Sequence, residues 1–427
     1  MANQALLAIG IFLVTYAFII SEKLHRTIVA MAGGILMVLF GIVNQEQAIE
    51  HIDFNTLGLL IGMMILVAIT AKTGVFKYMA IRAAKLAKGN PVRILVYLSL
   101  VTAVTSAFLD NVTTVLLIVP VTFSIARQLQ VNPMPFLISE IISSNVGGTA
   151  TLIGDPPNIM IGSAVPELDF MSFLVNLAPV VVIIMAATIG CFVLIYRKQL
   201  VTSPELQAQI MNLDERAEIT DVKLLKKSLA VLALTIIGFI LHGVLHLESA
   251  TIALSGAFLL LLLTGEHYLE EALGQVEWTT IFFFVGLFVL VSGLVHTGVI
   301  AKLAEEAINL TGGNTLHTSL LILWLSAIAS AFVDNIPFVA TMIPMIKEMG
   351  TLGITNLEPL WWSLALGACL GGNGTLIGAS ANVIVAGLAA KEGHHISFLG
   401  FLKVAFPLMI MSIILSHVYV YLRYFVL

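Results

Sequence analysis

The hexapeptide SAFLDN at residues 106–111 returns as SAFVDN at residues 330–335, an offset of 224 positions. The stretch GGTATLIG at residues 147–154 returns at the same offset as GGNGTLIG at residues 371–378. Further identities at this offset extend the match in both directions without a gap. Self-similarity at one fixed spacing indicates a duplicated structural unit. The chain therefore contains two copies of one folding unit.

The composition places both copies in a membrane. Of the 427 residues, 59% are hydrophobic and 11% are charged, and the mean hydropathy is +1.03. A soluble domain carries roughly 25% charged residues, so a water-soluble enzyme is excluded. The net charge of -5 gives no reason to expect a nucleic-acid partner. We expect an integral protein of the inner or plasma membrane whose first apolar run is an uncleaved span.

Within each copy, apolar spans precede two short apolar arms that meet at an Asp-Asn pair. Each arm falls a little short of the roughly 20 residues that a span needs. We therefore expect an all-α polytopic protein with about 10 transmembrane helices, two re-entrant hairpins and discontinuous helices. The predicted organisation is a first repeat at 1–197 (scaffold spans 1–90, hairpin and broken helix 91–165, span 170–197), a polar linker at 198–227 and a second repeat at 228–427.

The lysines and arginines predict the orientation. With each hairpin entering and leaving on one side, each copy crosses five times, so the second copy is inverted. One face then holds all the Lys and Arg residues except Lys302, Lys347 and Arg423, which is 17 of 20. Basic loops face the cytoplasm, which makes the linker cytoplasmic and both termini extracytoplasmic. Counting every arm as a full span also gives an odd number of crossings, so that alternative stays open.

The hairpin tips carry the first candidate ligands, Asp110-Asn111 and Asp334-Asn335. A carboxylate at the bilayer centre costs about 2.5–3.5 kcal/mol on insertion scales, and this chain repeats it at equivalent positions. That repetition favours ion binding or proton carriage. Asp and Asn also make tight turns, which is the competing interpretation. Thr113 adds an oxygen to the first tip only.

The interrupted apolar segments carry the second set. Pro156 and Pro157 remove backbone donors and the glycine pairs permit non-helical dihedrals, so each segment is predicted to unwind. Lipid cannot satisfy unwound backbone, so these segments must line a cavity or be buried in protein. The candidate ligands are Gly147, Thr149, Thr151, Asp155, Asn158, Gly371, Asn373, Thr375 and Asn382.

Three carboxylates, those of Asp110, Asp155 and Asp334, are expected to face one cavity. Closely placed carboxylates can exchange a proton for a cation. Hard oxygen ligands suit a hard cation, so Na⁺ is a candidate at Asp110, Asn111 and Asp155. We expect no cofactor beyond Na⁺ and H⁺ as transported or coupling ions.

The stretch SAFLDNVTT at residues 106–114, together with GGTATLIGDPPN at residues 147–158, resembles the ion transporter superfamily. The branch is that of arsenite efflux carriers, NhaD-type sodium–proton antiporters and the P protein. The resemblance covers essentially the whole chain and is specific to the superfamily, not to a substrate. It implies an elevator mechanism, in which a transport domain slides against a scaffold, and a homodimer.

Carried over to this chain, the resemblance assigns the substrate site to the two hairpin tips and the two unwound helices. Dicarboxylate carriers of the wider superfamily have Ser-Asn-Thr at the tips, and this chain has Asp-Asn instead, which argues against an organic dianion. The residues assigned are Asp110, Asn111, Thr113, Gly147, Thr151, Asp155, Asn158, Asp334, Asn335, Gly371, Thr375 and Asn382.

The expected function is secondary transport and not catalysis. We expect export of a small inorganic ion in exchange for protons, with Na⁺/H⁺ antiport as the first choice. Arsenite or antimonite efflux by the same fold is the alternative, followed by transport of other small or organic anions. A membrane protease with an aspartate dyad and a passive channel are the competing classes. The pattern leaves the substrate and the stoichiometry open.

Overall fold

Helices form all the regular structure in the part of the chain that this computed structural model describes, residues 2–21 and 23–426. The helices of the first half are α1 (Ala2–Ser21), α2 (Arg26–Leu39), α3 (Gln45–Glu50), α4 (Phe54–Ala71), α5 (Val75–Leu86), α6 (Pro91–Phe108), α7 (Asn111–Gln128), α8 (Met134–Gly148), α9 (Pro156–Ala164) and α10 (Phe170–Tyr196). After α11 (Pro204–Met211) come α12 (Val222–Leu245), α13 (Ser249–Thr264), α14 (Leu269–Gly274), α15 (Trp278–His296), α16 (Val299–Thr311), α17 (Thr315–Phe332), α18 (Asn335–Thr351), α19 (Glu358–Gly371), α20 (Ser380–Lys391) and α21 (Phe398–Phe425).

The predicted membrane fold is confirmed. Eight helices (α1, α2, α4, α10, α12, α13, α15 and α21) are continuous, and the α8/α9 and α19/α20 pairs are broken spans, which gives the ten expected crossings. Within the described ranges, nine helices are long and apolar enough to cross a membrane, and three of these are hairpin arms. Large apolar side chains point outward where lipid would lie, such as Leu13 on α1 and Val244 on α12.

The two halves repeat their internal hydrogen bonds at the offset of 224. Ser106 Oγ donates to the carbonyl oxygen of Ser144, and Ser330 Oγ donates to that of Ala368. The Asn158 amide donates to the carbonyl of Thr151. Its counterpart, Asn382, donates in the same way to the carbonyl of Thr375. The duplication in sequence is therefore a duplication of tertiary structure.

Contacts between α2 and α15 show how the halves are arranged. Thr27 Oγ1 donates to the carbonyl of Thr279 at 2.6 Å, at the start of both helices. Farther along, Gly286 faces Ala30, and Met37 faces Gly293. The two helices therefore run parallel. In the first half α2 and α4 are successive spans, so they cross in opposite directions. Helix α15 is the counterpart of α4, and an inverted second half reverses its direction, which makes α15 parallel to α2 as observed.

The hairpins and broken helices have the boundaries that their residues dictate. In the first hairpin α6 and α7 are separated only by Leu109 and Asp110, and Asp110 Oδ1 accepts from the backbone N–H of Thr113 at 2.8 Å. This N-cap bond satisfies one of the free donors at the start of α7. The unwound stretches lie between Gly148 and Pro156 and between Gly371 and Ser380.

Helix α2 is shorter than a full crossing. Its 14 residues span about 21 Å, against a hydrocarbon core of about 30 Å. If α2 crosses the bilayer, one end of its helical part would lie within the hydrocarbon core. The first residue, Arg26, contacts the tip of the second hairpin, as described below.

The segment between the two halves docks on α5. Glu215 accepts hydrogen bonds from Lys85 Nζ at 2.5 Å and from Arg82 Nη1 at 3.1 Å. The backbone N–H of Thr220 donates to the carbonyl of Thr73. These basic side chains on α5 therefore bind a carboxylate of the same chain.

Candidate ion-binding site

Four asparagines meet where the first hairpin tip contacts both broken helices. Asn111 Nδ2 donates to Asn145 Oδ1 at 3.0 Å. Asn145 Nδ2 in turn donates to Oδ1 of Asn373 at 2.9 Å and to Oδ1 of Asn382 at 3.0 Å. All four side chains are buried. Because buried amides need partners, this network links the two halves of the chain into one unit at their interface.

A cavity of about 30 Å³ lies beside this network. Three acidic residues line it, Asp110, Asp155 and Glu277, and the one basic residue among its lining is Arg26. A single water molecule needs roughly 10–15 Å³, so the cavity can hold about two water-sized species. Its lining therefore combines a small volume with an excess of carboxylates.

Asp155 is the carboxylate with a free oxygen. The residue precedes α9 and is 1% exposed. Its Oδ1 accepts from Asn335 Nδ2 at 3.3 Å, whereas Oδ2 has no N–H or O–H partner among the described residues, and the Cys369 thiol lies within interaction range of the carboxylate. Both Asp110 and Asp334 lie within electrostatic range. A buried carboxylate oxygen without a partner is costly unless it takes a proton or a cation.

Asp334 is paired with an arginine from another part of the fold. Arg26 Nη1 donates to Asp334 Oδ2 at 2.6 Å and to Ser380 Oγ at 2.7 Å, and Ser380 Oγ donates to the same carboxylate oxygen at 3.0 Å. The Arg26 guanidinium also lies over the Phe283 ring, 5.0 Å from its centroid. This contact ties α2 and α15 to the second hairpin and to α20. A larger cavity, of about 280 Å³ and mainly apolar, adjoins it.

Four helix N-termini converge on the site, those of α7, α9, α18 and α20. Each presents the positive end of a helix dipole. Asp110, Asp155 and Asp334 precede the first three, and the Asp334–Ser380 bond brings a carboxylate to the fourth. The chain therefore already places its own carboxylates at the helix ends that would attract an anion.

Two glycines set the close contact between the hairpins and the broken helices. A Cβ on Gly147 would lie 2.1 Å from the carbonyl oxygen of Ala103, and one on Gly371 would lie 2.5 Å from that of Ala327. No side chain fits at such distances. Next to these contacts, the Thr151 hydroxyl donates to the carbonyl of Ala107 in the first hairpin. The unwound segments are thus bound directly to the hairpin arms.

Comparison with known proteins identifies the family. The family model described as citrate transporter, CitMHS, matches residues 16–367. This chain belongs to the citrate transporter family. An uncharacterized transporter of Mycobacterium tuberculosis is 44% identical over 99% of this chain and 100% of its own length. The human P protein is 35% identical over 96% of this chain and 59% of its own length.

A solved structure shares the fold. The YdaH transporter of Alcanivorax borkumensis superposes with a TM-score of 0.61 at 15% identity, covering 98% of this chain and 97% of that one. At that identity the likeness concerns the fold alone. The family and the relatives establish that the protein is an integral membrane transporter and not an enzyme, as the sequence predicts.

The predicted ligands of the transporter fall into two groups. The side chains of Asp110, Asn111, Asp155 and Asn335 line the small cavity, and Asp334 lines the larger one. The other predicted ligands form hydrogen bonds or close packing contacts within the protein. Those are Thr113 on Asp110, Thr149 on the carbonyl of Asn145, Thr151 and Thr375 on the hairpin arms, Asn158 on the unwound loop, Asn373 and Asn382 in the asparagine network, and Gly147 and Gly371 in close packing.

Four further residues of the site escaped the sequence analysis: Arg26, Asn145, Glu277 and Ser380. In the sequence, Arg26 is only one of the basic residues that predict the cytoplasmic face. Asn145 offered a signal, because it interrupts an apolar helix and its counterpart at the offset of 224 is Cys369. Nothing in the sequence connects Glu277 with the tip at Asp110. Glu277 precedes α15 in the second half of the chain, whereas Asp110 lies in the first half.

Proposed function

We propose that this transporter exchanges a small inorganic cation for protons, with Na⁺ as the first choice. The observation that carries the proposal is the cavity of about 30 Å³ lined by Asp110, Asp155 and Glu277 with Arg26 as its basic residue. A cation can occupy a cluster of carboxylates when they are ionised, and protons can neutralise the same cluster when the cation leaves. That alternation is the basis of cation–proton exchange.

Sodium fits the chemistry of the ligands. The residues around the cavity supply carboxylate, amide and hydroxyl oxygens, with Oδ2 of Asp155 among them, beside the Arg26 guanidinium. Hard cations prefer oxygen ligands. The small volume suits a bare or nearly dehydrated ion, and the asparagine network holds the ligands in place.

Citrate, the substrate in the family's name, fits this site poorly. A tricarboxylate needs several cationic groups, and the Arg26 guanidinium is already bonded to Asp334. The converging helix N-termini carry the chain's own aspartates. A cavity of about 30 Å³ is also far too small for a molecule of that size in this conformation.

Arsenite is the second candidate, and one thiol favours it. Cys369 is buried, its Sγ lies 3.5 Å from Asn158 Oδ1, and it lies within interaction range of Asp155. A thiol is a soft ligand that suits a metalloid. Replacing Cys369 by serine should abolish arsenite efflux if the thiol binds the metalloid, and should leave Na⁺ exchange nearly intact.

We further propose an elevator movement of the hairpins and broken helices against the remaining spans. The inverted repeat supports alternating access of this kind. The Arg26–Asp334 bond joins the two parts and would have to break during each cycle. With the basic residues facing the cytoplasm, both termini lie outside. Reporter fusions at each terminus test the orientation, and cross-linking in membranes tests the homodimer implied by the resemblance.

The deciding experiment measures sodium-driven proton movement in proteoliposomes that contain the full chain and an internal pH dye. The variants are Asp110→Asn and Asp155→Asn, and the matched control is Asp169→Asn, an aspartate that caps α10 outside the cavity. We expect Na⁺ gradients to drive proton movement in the wild type and the control but in neither cavity variant. Equal activity in all four proteins would refute the carboxylate mechanism. Proton movement that is driven by a citrate gradient but not by a Na⁺ gradient would refute Na⁺ as the substrate.

A further inference from the structure

A second buried carboxylate lies outside the cavity, at Glu140 in the middle of α8. Its side chain is fully buried. Oε1 accepts a hydrogen bond from Thr122 Oγ1 of α7 at 2.5 Å, and Oε2 has no partner among the described residues. An ionised carboxylate buried without a countercharge is strongly disfavoured. Glu140 therefore has to bind a proton or another positively charged species for at least part of the time.

No charged side chain compensates Glu140. The helices packed against α8 are α6, α7, α10, α19, α20 and α21. Among the described residues none of their charged groups forms an ion pair or hydrogen bond with it, and Thr122 is its one hydrogen-bond partner. The charged groups and the histidine on those helices are Arg93, Arg127, Glu358, Lys391, Lys403, His417 and Arg423, and Arg127 pairs with Glu392. Their other titratable groups are Tyr97, Cys191, Tyr196, Cys369, Tyr419, Tyr421 and Tyr424.

The second half of the chain folds without this pair. At the offset of 224, Glu140 is replaced by Leu364 and Thr122 by Ile346, both fully buried. The surrounding helices α18 and α19 are the counterparts of α7 and α8 at this offset. A leucine and an isoleucine thus fill the same place in the same fold, so architecture alone does not require the glutamate.

Buried hydroxyls accompany Glu140, and most of them are absent from the second half, where Ser326 and Ser363 also carry buried hydroxyls without a partner. The hydroxyl groups of Ser99, Thr102, Thr105, Thr114 and Ser143, on α6, α7 and α8, are buried without a hydrogen-bond partner in the described structure. Their counterparts in the second half are Leu323, Ser326, Ala329, Phe338 and Gly367. Hydroxyls both donate and accept, so they can pass a proton directly or through water. Thr114 lies four residues after Asp110, on the helix that also carries Thr122.

We propose that Glu140 is a proton-binding site separate from the cavity carboxylates. A proton from the cavity or from water binds the Glu140 carboxylate and converts it to the neutral acid. The same group releases the proton later in the transport cycle and becomes a carboxylate again. The buried hydroxyls of α6, α7 and α8 do not bond to one another, so water entering the bundle would have to connect them to give the proton a route. The bundle of the first half would then change charge once per cycle, whereas its counterpart in the second half would not. The inference rests on the proposed proton coupling.

Infrared difference spectra of the purified full chain in lipid vesicles test this site without any need for transport. The pH is stepped from alkaline to acidic, and the carboxylic-acid C=O band is recorded together with the number of protons taken up per protein. Glu140→Gln keeps an oxygen that can accept from Thr122 and removes the titration. The second variant carries Thr122→Ile with Glu140→Leu, the pair that the second half already folds with.

We expect both variants to lose one pH-dependent band and to take up one proton fewer per protein than the wild type. A wild-type band that does not change with pH, or spectra that are equal in wild type and variants, would overturn the proposal. Sodium-driven proton movement is measured in parallel. If the wild type shows none, the proposed sodium function fails, while the infrared bands still decide whether Glu140 binds and releases protons.

Discussion

At the scale of single residues, Asp155 carries the most specific expectation. Its Oδ2 atom is buried and accepts no N–H or O–H from the residues that the structure describes, and its Oδ1 atom already accepts from Asn335. Asp155→Asn retains the size of the side chain and removes the charge. Loss of one interaction with a charged group costs about 1.5–3 kcal/mol, so the half-saturating Na⁺ concentration should rise roughly tenfold or more. Sodium titration of the purified protein measures it.

The outcome for Asp155 can be separated from general damage. Asp169→Asn changes an aspartate whose Oδ1 caps α10 through Ser172, and it should leave sodium binding unchanged. If Asp155→Asn binds Na⁺ as tightly as the wild type, Asp155 is not a ligand, and its free oxygen has another explanation.

A second expectation at this scale concerns Gly147. Gly147→Ala places a Cβ against the carbonyl of Ala103, at a distance of 2.1 Å in the present backbone. Overpacking of this kind destabilises by about 1–3 kcal/mol, so the melting temperature in detergent should fall by several degrees. The matched control is Gly387→Ala in α20, where nothing lies within 4 Å of the added atom. Equal melting temperatures for the two variants would contradict the close contact.

At the scale of helices, the Arg26–Asp334 pair couples α2 to α18. Its side chains are 28% and 11% exposed, so the bond is partly shielded from water. A double-mutant cycle with Arg26→Gln and Asp334→Asn should therefore give a coupling energy of about 1 kcal/mol, with the double variant little worse than either single one. Thermal stability of all four proteins measures it. Strictly additive effects would show that the two side chains act independently.

The segment between the halves should respond to pH through Glu215. The hydrogen bond from Lys85 lowers the pKa of the Glu215 carboxyl to about 2, from its ordinary value of 4.5. The ionised carboxylate favours docking on α5, so docking is fully stabilised above the ordinary pKa and is lost as the pH falls toward 2. Hydrogen exchange of residues 204–219 measures this loss.

The control for the predicted pH dependence is the Glu215→Gln variant, compared with the wild type at neutral pH. Glu215→Gln removes the charge and should give fast exchange in residues 204–219 at every pH. If Glu215→Gln and the wild type exchange alike at neutral pH, Lys85 and Glu215 do not hold the segment in place.

At the scale of the whole molecule, the sequence determines more of the fold than of the site. The duplication, the hairpins and the broken helices follow from local signals: an offset of 224, an Asp-Asn pair between apolar arms, and glycine and proline inside apolar runs. These signals act over a few residues, so they can be recognised without coordinates. The short length of α2 and the docking of Glu215 on α5 are not signalled in this way.

The site depends on contacts between the halves, which spacing along the chain does not specify. Asp110 and Asp155 stand out because they lie in repeated motifs. Arg26 begins α2 and Glu277 precedes α15, and they reach the cavity because α2 and α15 run parallel and start beside the hairpin tips. Glu140 becomes informative only through comparison with Leu364 in the second half.

The central claim is that one cluster of carboxylates alternates between a cation and protons. The most direct test is to add Na⁺ to the purified transporter in weakly buffered solution and to record proton release, with Asp155→Asn beside the wild type. The account predicts that sodium binding releases protons from the wild type and that the variant releases far fewer. Sodium binding with no proton release, or equal release from both proteins, would contradict it.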